Sequence, residues 1–305
     1  MRTTLASAGF CPGRVPVRDL HIFPCEGVPV NFSSSFAPRL LSWPLALLIV
    51  CLILQGCGTM KNGRRWGEDA TLLPGWKKAG ESAFDALMSP LVLIPAAGAL
   101  LLQIDHGDRR ISDWAREHTP VYGSNDKADQ RSEDIRGVMA CTFYLSMLAT
   151  PSGDDLTSWG ASKVKGALVQ QAAVGFNHLI VSNSQDAIGR ERPNNSDKRS
   201  FPSSRAANTA AFATLSSRNV DAMNIPQPAK TTLNAGLYTA MFATAWARVE
   251  AGRHYPSDVL AGISLGHLTS SIINDTFMGI DSKVNGHPVA SCNGKELFIG
   301  YCLRF

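Results

Sequence analysis

The sequence has few aromatic residues, no concentrated block of one charge and no internal repeat. Aromatic residues make up 8% of the 305 residues, and the formal net charge is +4 without a basic run. Nucleic-acid binding depends on such a run, so nucleic acid is not an expected partner. The chain also lacks a cluster of His, Cys, Asp and Glu at metal-ligand spacing, so neither a metal nor another cofactor is expected. With 45% apolar residues the chain is too apolar for disorder, and its many Ala, Leu, Ser and Thr residues favour helices.

The sequence also lacks a long apolar run. The run at residues 45–54 is shorter than the ~20 residues that a membrane span needs. It follows Arg39 and ends in the letters LQGC, which is typical of a secretory signal. The ending resembles a bacterial lipobox, which implies that Cys57 is diacylated and becomes the mature N-terminus. The alternative is an ordinary transmembrane anchor with an incidental cysteine. Because the two residues after Cys57 are not acidic, the analogy implies an outer-membrane lipoprotein that faces the periplasm.

Residues 1–56 are therefore predicted to be a signal peptide with an N-terminal extension. The stretch before the apolar run is too long for such a peptide, so we expect a misassigned start, with translation beginning near Val28 or Val30. The rest of the chain is divided into a lipid-linked tether at 57–80, a helical domain at 81–280 and a C-terminal hairpin at 281–305.

Helix-type periodicity indicates an all-α bundle of about six helices with one short β-hairpin. Residues 83–104 are predicted to be a buried or membrane-dipping helix, and residues 105–136 a charged connection. Further helical segments are predicted at 137–150, 162–185, 205–216, 231–250 and 257–273. Because polar side chains interrupt most of these segments, a folded bundle held at the membrane by its lipid is favoured over a polytopic protein.

The tail is the best candidate for strands, since apolar residues flank Asn293–Gly294, a pair typical of a two-residue hairpin turn. An oxidising compartment permits a disulfide between Cys292 and Cys302. Two extended strands would separate them, so this disulfide is not favoured. Cys141 lies in an apolar run and is predicted to be buried.

The stretch GRHYPSDVLAG, residues 252–262, places reactive side chains between two helix-type segments. Arg248 falls in the last turn of one helix, His254 in the connection and Asp258 in the first turn of the next, which brings them to one spot. An imidazole nucleophile must be uncharged at one nitrogen, and a carboxylate on its other nitrogen holds that tautomer. The guanidinium suits an anion with paired acceptors.

Two further stretches offer anion-binding groups. In FPSSRAA, Ser203 and Ser204 open a helix whose free N–H groups form an anion site. In GRERP, Pro193 ends a helix and leaves Arg190 and Arg192 near its end. Each stretch has an ordinary structural interpretation, as a helix cap or a helix stop. Their order and spacing before the His254 stretch nevertheless predict a single phosphate site.

Together the three stretches resemble the type 2 phosphatidic acid phosphatase family, which includes bacterial class A acid phosphatases and vanadium haloperoxidases. The family pattern is Lys-x6-Arg-Pro, then Pro-Ser-Gly-His, then Ser-Arg-x5-His-x3-Asp. The third motif reads ARVEAGRHYPSD here, with Ala247 in place of serine. The first keeps Arg-Pro but has Gln185 at the lysine, and in the second Ser204 and Arg205 replace glycine and histidine. The resemblance covers roughly residues 162–271.

The resemblance implies that His254 attacks phosphorus and forms a phosphohistidine, with Asp258 orienting it. Arg192 and Arg248 match the family's arginines that bind the phosphoryl oxygens, as does Ser203 with nearby amides. The predicted phosphate-binding residues are Ser203, Ser204, Arg205 and Gln185. The implied activity is a membrane-tethered phosphatase of the cell envelope, acting on a phosphorylated lipid or a small phosphomonoester.

Arg205 stands where the family has the histidine that protonates the leaving oxygen. Arginine keeps its proton at any working pH, so Arg205 cannot be a general acid, a role worth roughly 10²–10⁴-fold. It can still stabilise negative charge. We therefore expect a preference for leaving groups that need no proton, such as phosphate from a lipid diphosphate. His178, seven residues before Gln185, is a candidate substitute, although a packed or solvent-facing histidine is the simpler interpretation.

Two other functions fit the same residues. The main alternative is a catalytically inactive family member that binds phosphate-bearing lipid or glycan through Arg192, Arg205 and Arg248. Retention of His254 with Asp258 favours the enzyme, because anion binding has no use for an oriented imidazole. Vanadate-dependent oxidation is a third and weaker option, since the same pocket shape holds vanadate.

Overall fold

The computed structural model describes residues 56–279 and the two strands Gly286–Cys292 and Leu297–Leu303. The described part confirms the all-α prediction, with eight α-helices rather than about six. In chain order the helices are α1 Trp76–Leu87, α2 Pro90–Leu101, α3 Gly107–His118, α4 Asn125–Ala149, α5 Leu156–Ile188, α6 Ser204–Ala222, α7 Gln227–Glu250 and α8 Pro256–Phe277. The predicted signal peptide and its extension lie outside the described residues, apart from Gly56.

One extra helix comes from a break in the apolar segment predicted as a single helix. Ser89 caps α2 by accepting a hydrogen bond from the backbone N–H of Leu91, and Pro90 occupies the first turn. Proline cannot continue the preceding helix but fits the start of the next one. Of the described helices, none is by itself both long and apolar enough to cross a membrane, whereas α1 and α2, bent by 51°, meet that test as a pair.

The predicted charged connection at 105–136 is wrong, because α3 and the first half of α4 occupy it. Ser124 caps the 25-residue α4 with its hydroxyl on the N–H of Lys127. The buried side of α4 begins with the small residues Ala128 and Ser132. The charged residues around them therefore dominate the sequence pattern there and hide the helical periodicity. Farther along the same helix, Cys141 is exposed, which corrects its predicted burial.

Helix α8 packs against α6 at very close range, and small residues make this possible. A Cβ added to Gly262 would lie 2.6 Å from the carbonyl oxygen of Ser203, and one added to Gly266 would lie 2.2 Å from that of Ala207. Farther along, His267 of α8 contacts Thr214 of α6. The two helices therefore run in the same direction, and their N-termini lie side by side.

Part of the predicted tether packs on the bundle near the start of α5. Gly58 pairs with Gly153 through two backbone hydrogen bonds of 2.8 and 3.1 Å. Trp66 is 1% exposed and its N–H donates to the carbonyl of Pro151. Cys57, the predicted lipidation site, is exposed beside this contact.

The predicted hairpin is present as two antiparallel strands, β1 (Gly286–Cys292) and β2 (Leu297–Leu303). Its last described pair joins Cys292 to Leu297, and the predicted turn at Asn293–Gly294 lies outside the described residues. Cys302 pairs with His287, which places it well away from Cys292 along the ladder.

Candidate active site

The three motif stretches meet where α6 and α8 begin and α7 ends. Helix α5 ends at Gly189, which adopts the left-handed conformation that glycine tolerates. The loop that follows is tied to the α7–α8 connection, because the N–H of Asn194 donates to the carbonyl of Gly252. The N–H of Ser203, just before α6, donates to the carbonyl of Asp258 at 3.0 Å. Chain segments that are distant in sequence thus form one site.

His254 is buried, with 1% of its surface exposed, and its Nδ1 lies 2.6 Å from the carbonyl oxygen of Ser200. A carbonyl only accepts hydrogen bonds, so Nδ1 carries the proton and Nε2 keeps its lone pair. Nε2 makes no hydrogen bond to any residue that the structure describes. Burial, followed by the charges of Arg248 and Arg192, holds the pKa of His254 well below 6.5. The imidazole is therefore neutral at pH 7 and presents a free nitrogen.

The carboxylate of Asp258, which the resemblance implies orients His254, makes no direct hydrogen bond to the imidazole. Its carboxylate accepts hydrogen bonds from Ser200 Oγ at 2.5 Å, Arg190 Nη1 at 2.6 Å and the N–H of Tyr255 at 2.9 Å. Burial raises the pKa of this carboxyl to about 6, against the opposing charge of Arg190. Asp258 is thus linked to His254 through Ser200, whose hydroxyl donates to the carboxylate and whose carbonyl accepts from the imidazole.

Arg190 belongs to a structural network beside the site. It donates to both Asp258 and Asp108, each at 2.6 Å, and its guanidinium lies 4.2 Å from the ring centroid of Tyr255. Asp108 also accepts hydrogen bonds from the N–H and hydroxyl of Ser257. The sequence offered no signal for this role of Asp108, because it lies in the stretch predicted to be a connection.

Two buried donors of the predicted phosphate site have no hydrogen-bond partner among the described residues. They are Arg248 Nε and Ser203 Oγ. Arg248 is 3% exposed and Ser203 fully buried. Leaving a buried polar group unpaired costs about 1–3 kcal/mol, so such groups call for a partner. Burial, then the charge of Arg205, lowers the pKa of Arg248 to about 9, and it stays protonated at neutral pH.

Arg192 lies close enough for its charge to act on His254 and Arg248. Its Nε donates to Asp197 at 2.7 Å, and its side chain is 14% exposed. The hydrogen bond to Asp197, in the same loop, therefore holds one edge of the Arg192 guanidinium in place.

Arg205 points at α4, which the sequence did not connect with the site. Its Nη1 donates to Asp129 at 2.6 Å, and its Nε lies 3.0 Å from Glu133. Asp129 also accepts hydrogen bonds from Arg248 and Arg253. Burial alone would raise the pKa of Asp129, but these arginines lower it to about 2. Asp129 is therefore ionised at neutral pH and does not act as a proton donor there.

The remaining predicted residues have other contacts. Gln185 was predicted at the phosphate, but its amide instead donates to the carbonyls of Pro202 and Arg199, at 2.8 and 3.3 Å. It supports the loop before α6. Ser204 is the first residue of α6 and is half-buried. His178 is exposed on α5, in line with the simpler interpretation of this residue.

A cavity of about 600 Å³ adjoins the site. Phe201 and Pro202 form part of its wall, and these residues lie between Ser200 and Ser203 in the chain. The rest of the lining is mainly apolar and comes chiefly from α2 and α8. In the described part of the chain, no group of three His, Cys, Asp or Glu residues is placed to hold a metal ion.

The sequence matches the family model of the PAP2 superfamily over residues 166–278, which confirms the resemblance across this segment. Among solved structures, the chain is similar to the first transmembrane PAP2 type phosphatidylglycerolphosphate phosphatase from Bacillus subtilis. The TM-score is 0.45 at 19% identity, over 68% of this chain and 97% of that chain. None of the curated proteins matches the sequence.

Proposed function

Since residues 166–278 carry the PAP2 superfamily domain, we propose that the protein is a membrane-tethered phosphatase of the bacterial cell envelope. Its substrate is a lipid phosphate or diphosphate, or a small phosphomonoester, and the reaction passes through a phosphohistidine at His254. The tether is the lipid on Cys57, and the catalytic domain faces the periplasm.

The state of His254 carries this proposal. A protein that only binds an anion gains nothing from a buried imidazole that is neutral and has one nitrogen fixed as a donor. A nucleophile needs this arrangement, because the lone pair on Nε2 must be free while Nδ1 is held. The 2.6 Å bond to Ser200 and the depressed pKa of His254 provide both conditions.

In the proposed reaction, the lone pair of Nε2 forms a bond to phosphorus while the bond to the leaving oxygen breaks. That oxygen departs with the electron pair. Water then attacks the phosphohistidine, which releases inorganic phosphate and restores the imidazole. Arg192, Arg248 and Ser203 bind the non-bridging oxygens, and the two unpartnered donors Arg248 Nε and Ser203 Oγ supply hydrogen bonds there. The N-terminus of α6 adds the partial positive charge of its free N–H groups.

The second motif determines the expected leaving group. Arg205 is paired with Asp129 and Glu133. Because arginine keeps its proton at neutral pH, Arg205 cannot protonate the leaving oxygen. An alkoxide leaving group needs such a proton, whereas the lipid monophosphate that leaves when His254 attacks the terminal phosphorus of a lipid diphosphate does not. A lipid diphosphate is therefore favoured over a simple alkyl phosphate.

A lipid substrate also suits the surroundings of the site. The apolar cavity beside Ser200 is large enough to take part of an acyl or prenyl chain. Of 22 large hydrophobic residues exposed in the described part, ten lie between residues 72 and 104 and six on α5. The cavity is lined chiefly by residues of α2 and α8, and Ser184 of α5 also contributes to its wall. An apolar surface of this extent typically contacts a membrane or a partner, and here the membrane is the proposed occupant.

A non-catalytic phosphate binder is the second candidate. The observation that favours it is the pairing of Arg205 with Asp129, together with Gln185 at the place of the lysine. Such a protein would bind a phosphorylated lipid or glycan through Arg192, Arg205 and Arg248 and would not cleave phosphate from it.

The test uses the full-length protein, purified in detergent, with an aryl phosphate, a dialkyl-glycerol phosphate and a prenyl diphosphate as substrates. We expect His254→Gln to abolish phosphate release and the trapping of an acid-labile phosphoenzyme, while His178→Gln, an exposed control histidine, leaves both unchanged. Equal turnover in the two variants excludes His254 as nucleophile. Binding of the phosphorylated lipids without turnover by the wild type supports the binder.

A further inference from the structure

Three arginines from three different segments converge on the carboxylate of Asp129. Arg205 Nη1 and Arg248 Nη1 both donate to Oδ1, and Arg253 donates to Oδ2 through Nη2 at 2.8 Å and Nε at 3.2 Å. The hydroxyl of Ser132, one turn farther along α4, accepts from the same two Nη1 atoms at 3.0 and 3.2 Å. No other carboxylate in the described residues receives three arginines.

Each arginine belongs to a different part of the proposed site. Arg205 lies at the start of α6, directly after the two serines of the second motif. Arg248 lies in the last turn of α7 and is a predicted phosphate ligand. Arg253 immediately precedes His254 in the α7–α8 connection. Asp129 therefore joins α4 to all three parts at once.

Without Asp129 these groups would repel one another. Like charges at contact distance destabilise each other, and the effect is largest for Arg248 because it is buried. With Nη1 of Arg248 held by Asp129 and Ser132, the plane of the guanidinium is fixed and its unpartnered Nε has a defined direction. A planar fork binds phosphate well only when it is oriented in this way.

We propose that Asp129 is a positioning residue that orients Arg248 toward the phosphate and, through Arg253, holds the connection that carries His254. This inference rests on the proposed function only for the identity of the anion. Asp129 itself touches neither the phosphate nor the reacting atoms in this role. The opposite role, in which Asp129 occupies the anion site and competes with phosphate, predicts an effect of opposite sign.

The experiment measures the Kd of inorganic phosphate by calorimetry, on the full-length protein in detergent. We expect Asp129→Asn to weaken phosphate binding about tenfold, because one charge-assisted contact that orients Arg248 is lost. Asp129→Glu, which keeps the charge, is expected to bind more tightly than Asp129→Asn. Unchanged or tighter binding by Asp129→Asn overturns the proposal, and so does a wild type that binds no phosphate.

The matched control is Asp275→Asn. Asp275 is likewise a carboxylate paired with an arginine, Arg218 at 2.7 Å, and it is more buried than Asp129, but it lies near the far end of α8. At 1.5 Å per residue that is about 25 Å from Asp258. We expect this variant to lose stability and to keep its phosphate affinity, and a loss equal to that of Asp129→Asn would reduce Asp129 to a general structural role.

Ser132→Ala keeps the proposal testable if Asp129→Asn does not fold. Ser132 is fully buried, and alanine fits its space. The variant removes the second acceptor of Arg248 Nη1, so phosphate binding should weaken about threefold. Unchanged phosphate affinity in Ser132→Ala contradicts the proposal. Because phosphate binding needs no turnover, failure of the phosphatase assay leaves this measurement interpretable.

Discussion

His254 and Ser200 are joined by a 2.6 Å hydrogen bond from the imidazole Nδ1 to a main-chain carbonyl. The hydroxyl of the same serine donates to Asp258. A main-chain acceptor cannot be removed by a side-chain substitution, and it cannot be protonated in the working pH range. The tautomer of His254 is thus held by the backbone, while the carboxylate holds the loop that carries this carbonyl.

Replacing Ser200 by alanine tests this arrangement. The carbonyl stays and only the hydroxyl bond to Asp258 is lost, which is worth about 1–3 kcal/mol for a bond to a charged group. We expect kcat to fall about tenfold, because the loop is less well fixed, with KM for the aryl phosphate little changed. A direct role of Asp258 on the imidazole predicts full activity in Ser200→Ala, and steady-state kinetics separate the two outcomes.

Arg205→His restores the residue type of the family's general acid. We expect the rate with the alkyl phosphate to rise relative to that with the aryl phosphate, by up to roughly 10²-fold, because a protonated imidazole can supply the proton that an alkoxide needs. The ratio of the two rates is the measurement, since it is independent of the amount of active protein. An unchanged ratio shows that proton transfer does not limit the wild type.

Gly262→Ala tests the close approach of α6 and α8. The added Cβ would lie 2.6 Å from the carbonyl oxygen of Ser203, so the start of α6 must shift. We expect a loss of about 1–3 kcal/mol in the free energy of unfolding, and a fall in activity. Gly175→Ala is the control, because its Cβ meets nothing within 4 Å and alanine stabilises a helix by about 0.5–1 kcal/mol. Equal stability of the two variants contradicts the observed packing.

We expect His267 to make the stability of the protein depend on pH. It lies between Thr214 and Ser89, and burial, then the charge of Arg218, lowers its pKa to about 3. The unfolded chain binds a proton below pH 6.5 and the folded chain does not, so stability is lost as the pH falls from 6.5 toward 3. The loss is up to about 1.4 kcal/mol per pH unit.

His267→Gln removes this contribution and keeps hydrogen-bonding atoms at the position. Between pH 7 and pH 5, we expect the wild type to lose about 2 kcal/mol more than the variant in urea unfolding. Parallel losses in both proteins would mean that His267 takes up a proton in the folded state.

The helices α5 to α8 were largely predictable because their signals are local. Apolar and small residues recur at helical spacing, Pro193 and Gly252 mark ends, and Pro256 marks a start. The predicted segment 162–185 corresponds to the 33-residue α5. Helix α3 and the first half of α4 were missed because their buried positions are occupied by small and polar residues such as Ser112 and Ser132. Tertiary packing stabilises these helices, and a pattern of charges does not reveal it.

Some of the residues that form the candidate site were predictable from the sequence. His254, Arg248 and Ser203 come together as expected, since each lies at a helix end whose position the sequence indicates. Asp129 was missed because nothing near it in sequence belongs to a motif. Gln185 was misplaced because a motif position fixes where a residue lies along a helix, whereas its hydrogen-bond partner depends on the loop that folds over it.

The sequence by itself determined the order of the three motifs, the helical segments that carry them and the presence of Arg205 where the family pattern has histidine. These properties depend on residue type and local spacing, which the chain specifies directly. Only the tertiary structure decided that Ser200 holds the imidazole, that Asp258 pairs with Arg190 and that Asp129 gathers three arginines. A hydrogen bond is selected by competition among all acceptors within about 3 Å, and packing brings those acceptors from distant parts of the chain.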